Sequence, residues 1–209
     1  MKQLLDKLNQ EKKKKKNVII FVVGIVLIAF ITGCIFTTIL SFDDKVLVKN
    51  YISEFINKID NNELNYFVSF KNSFISNLIF LITIWVLGLS VVGIPINLFI
   101  YFAKSFILGF SMSSFILKYK VKGCILGLLY IFPHQIINLI IYTFLLLFSM
   151  NFSKRIIISL KSKKNISFNN SFKRYVFMLL LSIFIVFITS LLEILLTPFL
   201  IDKILFIVK

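Results

Sequence analysis

The sequence predicts an all-α polytopic membrane protein, a bundle of five transmembrane helices with the N-terminus inside and the C-terminus outside. Of its 209 residues, 58% are hydrophobic, and the mean hydropathy is +0.93. Only 16% of the residues are charged, whereas about 25% are charged in an average soluble domain. The 24 Lys and Arg residues lie mostly between long apolar runs, which is how membrane proteins distribute basic charge.

The net charge of +15 does not indicate a nucleic-acid partner. Nucleic-acid-binding proteins carry their basic residues on one face of a folded polar surface, and here those residues flank apolar runs. We expect the basic segments to contact membrane lipid instead, because each Lys or Arg near an anionic headgroup layer contributes about 1 kcal/mol.

The apolar runs divide the chain into a basic cytoplasmic tail, residues 1–17, and a single five-span membrane domain, residues 18–209. A span needs about 20 mostly apolar residues. The predicted spans are 18–40, 73–94, 96–117, 123–150 and 175–200. The second and third are divided at Gly93-Ile94-Pro95, because proline removes a backbone hydrogen-bond donor.

The first span resembles two targeting signals but is expected to be retained. Ile31-Thr32-Gly33-Cys34 matches a lipoprotein cleavage box after a basic tail and an apolar run. The apolar run continues past Cys34 to Leu40, however, and the hydrophobic region of a signal peptide is only about 7–15 residues long.

The distribution of Lys and Arg predicts the orientation. Fourteen basic residues lie in the tail and in the loop 151–174, whereas nine lie in the segments on the other side. Since basic residues favour the cytoplasmic side, the tail and this loop are placed inside. The basic turn of Lys118, Lys120 and Lys122 opposes this assignment. Merging the second and third spans would place this turn inside, but it would place the more basic loop 151–174 outside.

The outer segment 41–72 contains apolar residues at helical spacing, which predicts a short amphipathic helix. Such a helix either rests on the membrane as a connector or presents a surface to a partner. The residues that define its apolar face are Val48, Ile52, Phe55, Ile56 and Ile59.

Three ionisable residues within the spans are candidate functional groups, because charge in hydrocarbon is costly. Lys104 lies about 13 Å from the inner side and Glu193 about 27 Å, at 1.5 Å per residue, so we expect no direct pair. Lys104 is expected to extend inward, and Glu193 to be hydrated from outside or held by serines. His134, at mid-depth beside Pro133, is expected to satisfy a backbone carbonyl rather than to relay protons.

Small residues predict close helix packing. Gly123 and Gly127 open the fourth span, and Ala29 and Gly33 lie in the first with the same spacing of four, which allows helix backbones to approach each other. Cys34 and Cys124 are expected to be free thiols.

No catalytic, cofactor-binding or metal-binding residues are predicted. The chain has one His, too few for a metalloprotease helix, and it lacks a phosphate-binding loop. We therefore expect a protein that is not an enzyme. Five spans do not divide into two equal repeats, but two copies would, so an oligomeric transporter or channel subunit stays open as an alternative to a membrane scaffold.

One segment is specific enough to indicate a family. The run Trp85-Val86-Leu87-Gly88-Leu89-Ser90-Val91-Val92-Gly93-Ile94-Pro95 resembles the signature of stage II sporulation protein M. Weaker motifs follow in the order of that family, and with the basic tail and five spans they extend the resemblance over almost the whole chain. These motifs are Lys104 before Gly109-Phe110-Ser111, Pro133-His134-Gln135, and Ser190-Leu191-Leu192-Glu193 before Thr197-Pro198. His134 departs from the Asn or Gln that the family often has after this proline.

The resemblance implies a role in the engulfment step of endospore formation, in the mother-cell membrane at the sporulation septum. It implies that the protein acts without catalysis, as the polytopic partner of two membrane-anchored peptidoglycan-degrading proteins, D and P of the same stage. The expected function is therefore a scaffold that localises these partners, through residues 41–72 and the outer ends of the spans.

Overall fold

The structure is a computed structural model that describes residues 2–61, 63–131, 134–162 and 168–208. These residues form six helices and no strand. The helices are α1 (Lys2–Ile39), α2 (Phe42–Asp60), α3 (Tyr66–Gly88), α4 (Gly93–Ile131), α5 (Gln135–Ser162) and α6 (Phe168–Val208). Within the described ranges, five helices are long and apolar enough to cross a membrane, and α2 is not among them. The prediction of an all-α protein with five spans is confirmed.

Helix α2 occupies the segment in which the sequence predicts an amphipathic helix. Ser41 caps its N-terminus by accepting a hydrogen bond from the Asp44 amide at 3.2 Å, which satisfies a donor that has no partner within the helix. Ile56 and Ile59 are buried in one hydrophobic cluster with Phe115 of α4. Helix α2 is therefore packed on α4 and α6 and does not only rest on the membrane.

The turn between the second and third spans lies earlier than predicted. Helix α3 ends at Gly88 and α4 begins at Gly93, so the spans 73–94 and 96–117 are each displaced toward the N-terminus. Pro95 lies in the first turn of α4, where a missing amide costs no helical hydrogen bond. Pro95 therefore belongs to the start of a helix, and the chain turns at residues 89–92.

The chain reverses direction at Lys120, within the basic turn that the sequence places between the third and fourth spans. Lys120 has φ of 55°, and the helical residues on either side of it form two pieces of α4. After the reversal, Gly123 lies against the backbone of Phe115 and Gly127 against Met112. The predicted fourth span, 123–150, is thus divided between the end of α4, which extends to Ile131, and α5, which begins at Gln135.

The two ends of the bundle differ in their elements and are named accordingly below. The α2 end contains α2, the start of α3, the Lys120 turn and the last turns of α6. The basic end contains the 89–92 turn and the described residues of 151–174. Hydrogen bonds align the basic end across the helices: Ser153 donates to the Ser90 carbonyl at 3.0 Å, and Asn97 donates to Ser149 at 3.0 Å.

Helices α1 and α4 run side by side at very close range. A Cβ atom on Gly33 would collide with the Phe106 carbonyl, and one on Gly109 would collide with the Phe30 carbonyl. Toward the α2 end, the hydroxyls of Thr37 and Ser113 are hydrogen-bonded to each other across the same contact. The small-residue spacing predicted from Ala29 and Gly33 therefore serves packing against α4, with small residues on both helices.

Candidate functional site

A group of polar side chains lies between α3, α4, α5 and α6, with Asn77 at its centre. Lys104 Nζ donates a hydrogen bond to Asn77 Oδ1 at 3.2 Å, and the Tyr142 hydroxyl donates to the same oxygen at 2.8 Å. Asn77 Nδ2 donates in turn to Ser73 Oγ at 3.4 Å. A single buried amide thus joins three helices, and it can do so because its oxygen has two lone pairs.

Glu193 is connected to this group from the α2 end. The Ser73 hydroxyl donates a hydrogen bond to Glu193 Oε2, and His134 Nε2 lies 3.6 Å from the same oxygen. Lys104 also lies 5.6 Å from the centre of the Phe80 ring, within the range of a cation–π contact. We call this set the polar network: Ser73, Asn77, Lys104, His134, Tyr142 and Glu193.

The expectation that Lys104 extends toward the inner side of the membrane is wrong. Lys104 does not extend toward the basic end but bonds to Asn77, one helical turn from the Ser73 that holds Glu193. No direct Lys104–Glu193 pair forms among the described residues, as the depth argument predicts. The alternative in which a serine of a neighbouring helix holds Glu193 is confirmed by Ser73.

His134 lies at the start of α5 rather than in the middle of a continuous helix. Its side chain is 0% exposed, and its carbonyl accepts the Asn138 amide at 3.0 Å. Pro133, which the sequence pairs with it, lies outside the described residues. That the His134 side chain satisfies a backbone carbonyl therefore stays a prediction, and its ring faces the Glu193 carboxylate.

Polar contacts continue along α5 beyond the network. Thr189 donates a hydrogen bond to Asn138 Oδ1 at 2.5 Å, and the hydroxyls of Tyr101 and Thr143 lie 2.5 Å apart. Asn77, the central residue, was not singled out from the sequence. Its place in an apolar run does indicate a buried contact, because an amide inside an apolar helix needs a hydrogen-bond partner in hydrocarbon.

An apolar layer separates the polar network from the basic end. It is formed by fully buried side chains from α3, α5 and α6. The residues are Leu81, Ile84, Leu145, Leu146 and Val186. A polar group or water therefore has no hydrogen-bonding partner among these side chains.

At the α2 end, a cavity of about 170 Å³ reaches Glu193 from the bundle surface. Helices α2, α3 and α6, together with the segment before α3, form its walls. The lining residues are Phe55, Leu64, Tyr66, Ser69, Glu193, Ile194, Thr197 and Pro198. The network is thus accessible from the α2 end, and the apolar layer lies on its other side.

Comparison with known proteins gives a family assignment. The family model described as Stage II sporulation protein M matches residues 17–198. The chain belongs to the stage II sporulation protein M family. No curated protein and no solved structure matches it. The resemblance seen in the sequence is confirmed, and the chain is a sporulation-related membrane protein.

The residues that carry the family resemblance at Trp85–Pro95 form the turn at the basic end. The Gly88 backbone packs so closely that a Cβ there would meet Ser149 and Tyr175. The Trp85 ring stacks on Tyr175 at 5.5 Å, and the Tyr175 hydroxyl donates to the Trp85 carbonyl at 2.8 Å. This part of the signature therefore packs the α3–α4 turn against α5 and α6.

The other residues predicted from the sequence lie at turns, at helix contacts or at the cavity wall. Gly123 and Gly127 lie at the reversal after Lys120, and Pro198 lies inside α6 at the cavity wall. Cys34 and Cys124 are free thiols, as predicted. Among the described residues, no group of three His, Cys, Asp or Glu side chains is placed to hold a metal ion.

Proposed function

We propose that this protein is a non-enzymatic membrane scaffold of sporulation engulfment that localises peptidoglycan-degrading partners at the septum. The observation that carries the proposal is the position of α2, held on the bundle by Ile56 and Ile59 while its opposite face is exposed. Family membership supports the sporulation role. The partners implied by the resemblance are the membrane-anchored proteins D and P of the same stage.

The proposal places the α2 end outside the cytoplasm. Fourteen of the 24 Lys and Arg residues belong to the tail and to residues 151–174, and such residues favour the cytoplasmic side. Peptidoglycan lies outside the membrane, so a surface that recruits its hydrolases has to be there. Single cysteines replacing Asn61 and Asn170, in a background without Cys34 and Cys124, are expected to label from outside and inside respectively. The reverse labelling pattern would overturn the orientation.

The exposed face of α2 is apolar near its N-terminus, which is the character of a partner-binding patch. Leu47 and Tyr51, one helical turn apart, are exposed on it, and Phe42 is exposed at the first residue of the helix. Exposed apolar residues within the spans face lipid, but α2 is too polar to be a span and begins with Asp43 and Asp44. This combination supports contact with a protein at the membrane surface.

The ionisable groups of the bundle support a role without catalysis. Lys104 and Glu193 are engaged with Asn77 and Ser73, and His134 with Glu193. A hydrolase would need a nucleophile and a base that reach peptidoglycan, and these side chains lie among the spans. Purified protein that cleaves peptidoglycan by itself would contradict the proposal.

The deciding experiment is affinity purification of the full-length protein from sporulating cells. Wild type is expected to retain the hydrolases, and the double variant Leu47→Asp, Tyr51→Asp is expected to lose most of them while remaining folded. Val92→Asp is the matched control, because Val92 is 69% exposed at the basic end. Equal retention by all three proteins would contradict a partner surface on α2.

The alternative function is an oligomeric transporter or channel subunit, and the α2-end cavity favours it because it leads to an ionisable network. The apolar layer of Leu81, Leu145 and Leu146 counts against a path through one subunit. Ion or solute flux in proteoliposomes that Glu193→Ala abolishes would favour transport, whereas absence of flux under the same gradients would favour the scaffold.

A further inference from the structure

Two residues that line the α2-end cavity, Glu193 and Thr197, each carry an acceptor atom that has no hydrogen-bond donor among the described residues. Glu193 binds Ser73 and faces His134 through Oε2 alone, and its side chain is 19% exposed. Within the described residues, nothing donates to its other oxygen, Oε1. Thr197, one turn further along α6, is only 3% exposed, and its hydroxyl has no hydrogen-bond partner there. A buried polar atom without a partner is costly, so this wall is suited to a donor that enters from outside.

The other walls limit what that donor is attached to. Phe55, Leu64, Ile194 and Pro198 are apolar and surround the approach to Glu193. The cavity volume of about 170 Å³ is enough for several atoms the size of a water molecule. A lysine side chain has about five non-hydrogen atoms, with an apolar stem and three donors at its tip.

The charge around the cavity favours a cation that is not accompanied by an anion. No Lys, Arg or His is among its lining residues, so the phosphate of an aminophospholipid would have no cationic partner. Of the lining residues, only Glu193 carries a charge. A basic group on a protein partner is therefore favoured over a lipid headgroup.

We propose that the α2-end cavity binds one lysine side chain of a membrane-anchored partner, with its ammonium donating to Glu193 Oε1 and Thr197 Oγ1. The lysine enters where the partner's membrane segment meets the surface, beside α2. This inference rests on the proposed function, because it assumes a partner at the α2 end, and it adds the chemistry that selects the partner.

The test uses the full-length protein in nanodiscs of phosphatidylglycerol and a membrane-spanning peptide with one lysine at its outer boundary. Binding is measured by energy transfer from a dye on Asn61→Cys, with Cys34 and Cys124 replaced by alanine. Because hydrogen bonds to a charged group are stronger than those between neutral groups, the lysine peptide is expected to bind at least about tenfold more tightly than a peptide with methionine at that position. Equal affinities would overturn the proposal.

Two cavity variants and one matched control locate the effect. Glu193→Gln keeps an acceptor for Ser73, and Thr197→Val keeps the shape of the wall; both are expected to remove most of the preference for lysine. Glu54→Gln removes a carboxylate on the exposed side of α2 and is expected to preserve it. A preference that persists in both cavity variants would place the lysine elsewhere and overturn the proposal.

Lipid and partner are separated by two further measurements. Adding phosphatidylethanolamine to the nanodiscs is expected to leave lysine-peptide binding unchanged, and competition by this lipid would overturn the assignment to a protein. In sporulating cells, equal retention of the hydrolases by wild type and by Glu193→Gln would overturn the proposed site but not the scaffold. Wild type that retains none would remove the scaffold, and the peptide assay would still decide the site.

Discussion

Two regions of the same bundle are stabilised mainly by different interactions. The α1–α4 interface brings backbones together over Gly33 and Gly109, and the hydroxyls of Thr37 and Ser113 add a side-chain hydrogen bond across it. The polar network joins α3, α4, α5 and α6 through side-chain hydrogen bonds centred on Asn77. In apolar lipid there is no hydrophobic driving force for the spans to associate, so close packing and hydrogen bonding have to stabilise the bundle. In this protein close backbone packing dominates at the α1–α4 interface, and buried side-chain hydrogen bonds dominate in the polar network.

The largest expected effect is at the α1–α4 interface. Gly33→Ala places a Cβ against the Phe106 carbonyl, and a backbone atom cannot move aside as a flexible side chain can. We expect the free energy of unfolding to fall by about 3 kcal/mol, the upper part of the usual range for overpacking. Unfolding by SDS titration from mixed micelles measures it. Gly24→Ala is the matched control, since no atom lies within 4 Å of its added Cβ, and a similar loss there would contradict the explanation.

The network is expected to respond less, because its energy is spread over several bonds. Asn77→Leu removes the acceptor shared by Lys104 and Tyr142 and leaves a cation unpaired among apolar helices. We expect a loss of about 2 kcal/mol in the same assay, since membrane hydrogen bonds are modest but an uncompensated charge adds to the cost.

A second substitution separates the lost bonds from the unpaired charge. Adding Lys104→Met to Asn77→Leu removes the cation and is expected to recover at least half of the lost stability. Ser76→Leu on the exposed side of α3 is the control for placing leucine in this helix. A double variant no more stable than Asn77→Leu alone would show that the charge is not the main cost.

The two regions also differ in how well the sequence predicts them. The spacing of Ala29 and Gly33 predicts close packing directly, because both residues lie on one face of one helix, although it does not name α4. Lys104 and Glu193 are conspicuous in the spans, but depth along separate helices separates them by about 14 Å. The structure fills that distance with Asn77 and Ser73 on α3, and no local pattern links residues on four helices.

Helix boundaries show the same limit. The position of five apolar runs follows from hydropathy, whereas the turn at 89–92 depends on how Gly88 packs against Tyr175 and Ser149. Proline alone suggests a break at Pro95, but in the first turn of a helix it has the opposite effect. The sequence therefore predicts which segments span the membrane better than it predicts where each helix begins.

A smaller effect is expected at the basic end, where a side chain bonds to backbone rather than to another side chain. Tyr175→Phe keeps the ring stacks on Trp85 and Phe152 but removes the hydrogen bond to the Trp85 carbonyl. We expect the free energy of unfolding to fall by about 1 kcal/mol, which is less than the loss expected for Asn77→Leu. Tyr51→Phe, at a site 71% exposed, is the control and is expected to change nothing. A loss as large as that of Asn77→Leu would mean that the signature turn matters more to folding than the network.

The smallest effect is expected for a pair outside the spans, Glu54 and Lys58 on α2. Lys58 Nζ donates to the Glu54 carboxylate at 2.8 Å, and this bond together with its positive charge lowers the Glu54 pKa below its ordinary value of 4.5. Lys58→Gln is expected to raise that pKa toward 4.5, as measured by carboxyl NMR titration, and Lys71→Gln is expected to leave it unchanged. A Glu54 pKa that does not move in Lys58→Gln would contradict this explanation.

A lowered pKa means that the pair stabilises the fold only above the unfolded pKa and loses its effect as the pH falls through the folded one. Because both groups are exposed and screened by water, we expect no measurable change in unfolding between wild type and Lys58→Gln at neutral pH. In the network, the Asn77 amide that holds Lys104 is only 3% exposed, so water replaces a lost partner there less readily. A neutral-pH loss in Lys58→Gln comparable to that of Asn77→Leu would show that burial is not what distinguishes the network.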